Sequence, residues 1–65
     1  MVKFPFDVWL RVPPSADSRV DAVKVVRQNG GGYLVITREN GVEFDAWIET
    51  LEDVEADLQA LRVQW

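Results

Sequence analysis

Asn40-Gly41 constrains this chain more than any other pair of residues. It sits in the middle of the run YLVITRENGVEFDAWI, between two segments in which apolar and polar residues alternate. Asn-Gly accepts the left-handed backbone of a type I′ turn, and the twist of that turn matches the twist of two antiparallel strands. A two-residue turn fixes the register. Glu39 faces Val42, Thr37 faces Phe44, Val35 faces Ala46, and Tyr33 faces Ile48 on one side of the hairpin. Arg38 with Glu43, Ile36 with Asp45, and Leu34 with Trp47 share the other side. The first set reads as the core face: Val42, Phe44, Ala46 and Ile48 with Tyr33 and Val35. Arg38 opposite Glu43 makes a favourable cross-strand charge pair.

The hairpin runs directly into TLEDVEADLQAL. Thr50 can cap a helix there, and Asp53 completes a capping box three residues later. Leu51, Val54, Leu58, Leu61 and Trp65 recur at helical spacing and form one apolar stripe. Glu52, Asp53 and Glu55 crowd the first turns, where the helix dipole favours carboxylates. No glycine or proline marks the end of this helix. Residues 62–65, with Val63 and Trp65 alternating against Arg62 and Gln64, are compatible with a short final strand.

Upstream, Phe4, Phe6, Val8, Leu10 and Val12 alternate with Pro5, Asp7, Trp9 and Arg11. That is a strand with one apolar face, lying at an edge or beginning irregularly at Pro5, which lacks a donor, and ending at Pro13-Pro14. SADS then reads as a polar loop. Residues 19–28, RVDAVKVVRQ, admit two readings. Ser18 with Asp21 resembles a helix capping box. The four valines and the following Asn29-Gly30-Gly31-Gly32 favour a strand and a turn. A turn of three residues, 29–31, sets Val25 against Val35 and Val23 against Thr37 on the core side, with Val26 against Leu34 and Lys24 against Ile36 outside. A two-residue turn would force Lys24 into the core, which is costly.

These elements make one small α+β domain over residues 1–65. Its expected architecture is an antiparallel β-meander of three to four strands with one C-terminal amphipathic helix packed on one face. The order is β-β-β-β-α, with β-α-β-β-α as the alternative.

Composition narrows the function. The 65 residues contain neither cysteine nor histidine, so the chain lacks disulfides, thiolate metal ligands and the commonest general base. No hydroxyl among Ser15, Ser18, Tyr33, Thr37 and Thr50 has a histidine to activate it, and no cofactor motif is present. The run NGGG lacks the lysine and hydroxyl that end a phosphate loop. The acidic run Glu52, Asp53, Glu55 and Asp57 lacks a glycine-pivoted calcium loop and reads as a solvated helix face. The expectation is a non-enzymatic protein. No apolar stretch is long enough for a transmembrane helix, and the N-terminus does not resemble a signal peptide. A cytoplasmic location and no membrane partner are therefore expected.

Net charge is −4, unevenly distributed. Lys3, Arg11, Arg19, Lys24, Arg27 and Arg38 against Asp7, Asp17 and Asp21 leave residues 1–38 at +3, whereas residues 39–65 carry −7. The acidic half repels phosphates and attracts basic partners. One helix can cover one face of the sheet. The other face holds Trp9, Val26, Leu34, Ile36, Arg38 and Trp47, more apolar surface than a solvated face needs. With Glu52, Glu55 and Asp57 of the helix, these are the candidate interface residues. The expectation is a small acidic protein–protein interaction module (an inhibitor, adaptor or accessory subunit) whose partner is another protein or a second copy, as in a homodimer. A single-stranded nucleic-acid-binding sheet, with tryptophans among basic residues, is the alternative, disfavoured by the acidic half. A purely structural homo-oligomer is a third reading.

Overall fold

The computed structural model describes residues 4–15 and 18–65. Lys3, and Ala16 and Asp17 of the polar loop, lie outside the described residues. The chain forms four strands and one helix: β1 (Leu10–Arg11), β2 (Val20–Arg27), β3 (Tyr33–Glu39), β4 (Val42–Ile48) and α1 (Leu51–Ala60). The strands make one antiparallel sheet in the order β1-β2-β3-β4, a meander. Residues 20–27 are a strand, so the β-α-β-β-α order is not adopted. Ser18 still uses its hydroxyl, but at the start of a strand: the Val20 N–H donates to Ser18 Oγ at 3.2 Å.

Both hairpins take the register that alternation predicts. Asn40 (φ 52°) and Gly41 (φ 81°) both occupy left-handed backbone, and Glu39 pairs with Val42. Between β2 and β3, Val25 pairs with Val35, Val23 with Thr37, Lys24 with Ile36, and Val26 with Leu34. The Gln28 N–H donates to the Gly32 carbonyl, closing a turn over residues 29–31. Lys24 is thereby kept off the core face.

Two irregularities reshape the first half of the sheet. Asp21 is the extra residue of a β-bulge between Val20 and Ala22. Because side chains alternate with period two, one inserted residue exchanges the faces beyond it. Val20 thus packs against the core, and Asp21 turns to the outer side. The second is Asp7, at φ 64°. The expected strand over residues 4–12 is broken there. Its N–H bonds to the Val25 carbonyl, the chain bends at Asp7 and Val8, and Val8 is exposed instead of joining the core. Regular pairing is confined to Leu10–Arg11.

The core lies between the sheet and α1. Val23 and Val25 of β2, Val35 of β3, and Val54 and Leu58 of α1 meet Phe4, Val12 and Val63 there. The N-terminal aromatics close one end. Phe6 stacks on Tyr33 (ring centroids 5.8 Å apart) and lies 4.9 Å from Phe4, which in turn meets Trp65 at 5.6 Å. The Arg27 guanidinium sits over the Phe6 ring at 4.8 Å.

The helix starts as its sequence indicates: the Asp53 N–H donates to Thr50 Oγ1 at 3.1 Å. Its end is built without glycine. Arg62 takes φ 61°, its N–H bonds the Gln59 carbonyl, and the Val63 N–H bonds the Leu58 carbonyl. This is a Schellman motif, and the buried pair Val63 and Leu58 supplies its usual apolar contact. The turn directs Val63 into the core, and residues 62–65 form no strand, so the short final strand that their alternation allowed is not adopted. No helix among the described residues is long and apolar enough to cross a membrane.

Candidate functional site

Cross-strand pairing arranges the outer face of the sheet in three rows. Arg11, Ala22, Arg38 and Glu43 form the first; Lys24, Ile36 and Asp45 the second; Val26, Leu34 and Trp47 the third. Cations therefore lie toward β1, β2 and β3, and carboxylates lie on β4. The third row is wholly apolar.

Trp9 covers the first row. Its ring lies 4.4 Å from the Arg38 guanidinium carbon and 4.9 Å from Lys24 Nζ, and the small Ala22 side chain is buried. Cation–π attraction holds such a ring flat on a sheet. Arg38 is engaged a second time by Asp21, Nε to Oδ1 at 3.7 Å. The bulge is what carries Asp21 round to Arg38. The ion pair of Arg38 is thus with Asp21, although Glu43 is its cross-strand neighbour. Both side chains are well solvated, so the pair contributes little to stability.

Trp47 closes the third row at the opposite corner. Its Nε1–H donates to the Gly31 carbonyl at 3.1 Å. Its ring occupies the space that a side chain at Gly32 (φ 78°) would need. The glycine run thus serves two ends: left-handed turn backbone and a flat seat for an indole.

The helix side of the sheet departs from expectation. Val42 and Phe44, assigned by alternation to the core, are each 54% exposed, and Ala46 is exposed as well. Only Ile48 of β4 packs against the core. Position in the sheet explains the difference. Phe44 shares its row with buried Val23, and Ala46 with buried Val25 and Val35, so the core gathers over β2 and β3 and leaves the edge strand bare except at Ile48.

Six of the nine candidate residues, Trp9, Val26, Leu34, Ile36, Arg38 and Trp47, share the outer face. Glu52, Glu55 and Asp57 belong to α1, on the opposite layer, and do not join them. Val42 and Phe44 are the residues that sequence reasoning missed. Their place on the last strand of a meander that has a single helix to cover it was the signal that could have found them. With Trp47, 57% exposed, they concentrate the most exposed of the large apolar side chains on one strand.

That strand is also an open edge: among the described residues nothing pairs with the side of β4 that faces away from β3. In a two-residue hairpin, Glu39 and Val42 form a hydrogen-bonded pair, and bonded and non-bonded pairs alternate from there. The backbone groups of Glu43, Asp45 and Trp47 therefore point away from β3. Comparison with protein-family models, with curated proteins and with solved structures returned no match to this chain.

Proposed function

We propose that this protein is a small, non-enzymatic protein–protein interaction module that docks through β4 and the adjoining outer face of the sheet. One observation carries the reading. Val42, Phe44 and Trp47 are all more than half exposed, and all three stand on the one long open edge. Exposed apolar side chains gathered along an open edge are what interfaces use, and aromatic anchors supply much of their binding energy. Absence of both histidine and cysteine removes the usual nucleophile–base pairs and supports a non-catalytic role. A cysteine-free chain also fits a reducing compartment such as the cytoplasm.

The test is affinity capture from the native cell with the wild-type chain, the double variant F44A/W47A, and a helix variant with Glu52, Glu55 and Asp57 changed to lysine. The reading expects a protein retained by the wild type and the helix variant and lost by F44A/W47A. Retention of the same proteins by all three contradicts it.

The arrangement of Trp9 over Lys24 and Arg38 favours a second reading, a stacking platform for single-stranded nucleic acid. Glu43 and Asp45 on the same face oppose it. Salt-dependent quenching of tryptophan emission by an oligonucleotide is the outcome that reading requires.

A further inference from the structure

We propose that β4 accepts, antiparallel, one extended strand of a partner protein whose side chains alternate between basic and apolar residues. The proposal rests on the interaction-module reading and names the chemistry of the partner.

The edge itself dictates the pattern. β4 reads Val-Glu-Phe-Asp-Ala-Trp-Ile. On its outer face it presents Glu43 and Asp45, both exposed, followed by Trp47. On its helix face it presents Val42, Phe44 and Ala46, also exposed. A strand added to this edge takes the same pleat, so its side chains divide between the same two faces. Those above the sheet meet two carboxylates and an indole. Lysine or arginine satisfies all three, the last through its aliphatic stem and its charge. Those below meet Val42, Phe44 and Ala46 and are best matched by apolar residues. The outward backbone groups of Glu43, Asp45 and Trp47 supply the ladder. The charge of −7 over residues 39–65 steers a basic segment toward this edge.

A second copy fits poorly. Pairing the whole of β4 with its symmetry mate sets Asp45 against Asp45. Sliding the copy one pair toward the hairpin turn sets Glu43 against Asp45. Sliding it the other way sets Glu43 against Glu49. Each register brings like charges face to face, which is unfavourable. Within the chain, β3 meets the same two positions with Arg38 and Ile36, and Arg38 is already engaged by Asp21.

The experiment uses synthetic peptides and titration calorimetry with the full chain. The probes are an alternating Val/Lys peptide, the matching Val/Glu peptide, and the Val/Lys peptide N-methylated on alternate residues. The protein is tested as wild type and as E43K/D45K, in which two exposed side chains are reversed in charge. Wild type should bind Val/Lys and not Val/Glu. The double variant should reverse that preference, with a change of about tenfold or more each way. N-methylation blocks the ladder donors on one edge and should abolish binding in one of its two phases.

Binding that survives N-methylation in both phases overturns strand addition, since charge attraction alone would then suffice. Failure of Val/Lys to bind overturns it as well. So does sedimentation of the wild type as a dimer that F44A/W47A dissociates, which would make a second copy the occupant. If capture still depends on Phe44 and Trp47 while the peptides fail, the strand proposal falls and the module reading stands. If capture also fails, the module reading falls with it.

Discussion

The two edges of this sheet are built in opposite ways. β1 pairs regularly over only Leu10–Arg11. Pro5 precedes it, Asp7 takes a left-handed conformation, and Pro13-Pro14 follows it. Trp9 lies flat over the adjoining cations. Short edges, prolines and irregular backbone are the devices by which proteins stop sheets from growing. β4 has a regular seven-residue ladder, no proline and no lysine, and apolar side chains stand out on both of its faces. Glu43 and Asp45 are its only charged residues. The difference teaches that the N-terminal edge is short and irregular, whereas the C-terminal edge is long, regular and unpaired among the described residues, which is the contrast that the strand-addition proposal uses.

The largest effect that sharpens this contrast compares two phenylalanines. Phe4, beside β1, is 8% exposed, and Phe44, on β4, is 54% exposed. Phe4→Ala is expected to cost about 3–5 kcal/mol, comparable to all that a core of this size supplies. Phe44→Ala should cost less than about 1 kcal/mol. Urea denaturation measures both, and equal costs would break the comparison. Next is Gly32→Ala. Left-handed backbone disfavours a side chain by about 1–2 kcal/mol, and the new methyl displaces the Trp47 ring. A changed tryptophan emission should accompany the loss of stability. At Gly41, also left-handed, there is open space, so Gly41→Ala should destabilise without an emission change.

Arg62→Gly acts at the end of α1. It relieves left-handed backbone at a non-glycine residue and should stabilise by about 0.5–1 kcal/mol in thermal or urea unfolding. The smallest effect on stability belongs to E43T/D45T, within about 0.5 kcal/mol. Its informative readout is sedimentation. Removing the two carboxylates from the open edge should promote self-association, because they are what discourages a second copy.

Much of this was legible in the residues. Asn40-Gly41 specifies its hairpin register, and the cost of burying Lys24 selects the three-residue turn before β3. Thr50 and Asp53 announce the helix. Besides the break of the first strand at Asp7, features that were not legible each have a physical reason. The bulge at Asp21 is a single inserted residue with no special composition, yet it moves Val20 to the core and brings Asp21 to Arg38. Arg62 ends the helix in a conformation normally given to glycine, so no terminator is visible. Alternation says which face a side chain occupies, not whether anything covers it. Val42 and Phe44 share the face of Val35, but α1 does not extend over them. The candidate site was therefore half found: the outer-face residues group as expected, and the exposed helix-face residues of β4 did not stand out.

Amide hydrogen exchange along β4, read by nuclear magnetic resonance without and with the Val/Lys peptide, tests the open edge most directly. In the free chain, Phe44, Ala46 and Ile48 amides should exchange slowly and Glu43, Asp45 and Trp47 amides quickly. Peptide should slow these three and leave the residues around β1 unchanged. Slow exchange at Glu43, Asp45 and Trp47 in the dilute free chain, or protection by peptide confined to the Trp9 side of the sheet, would contradict an available β4 edge.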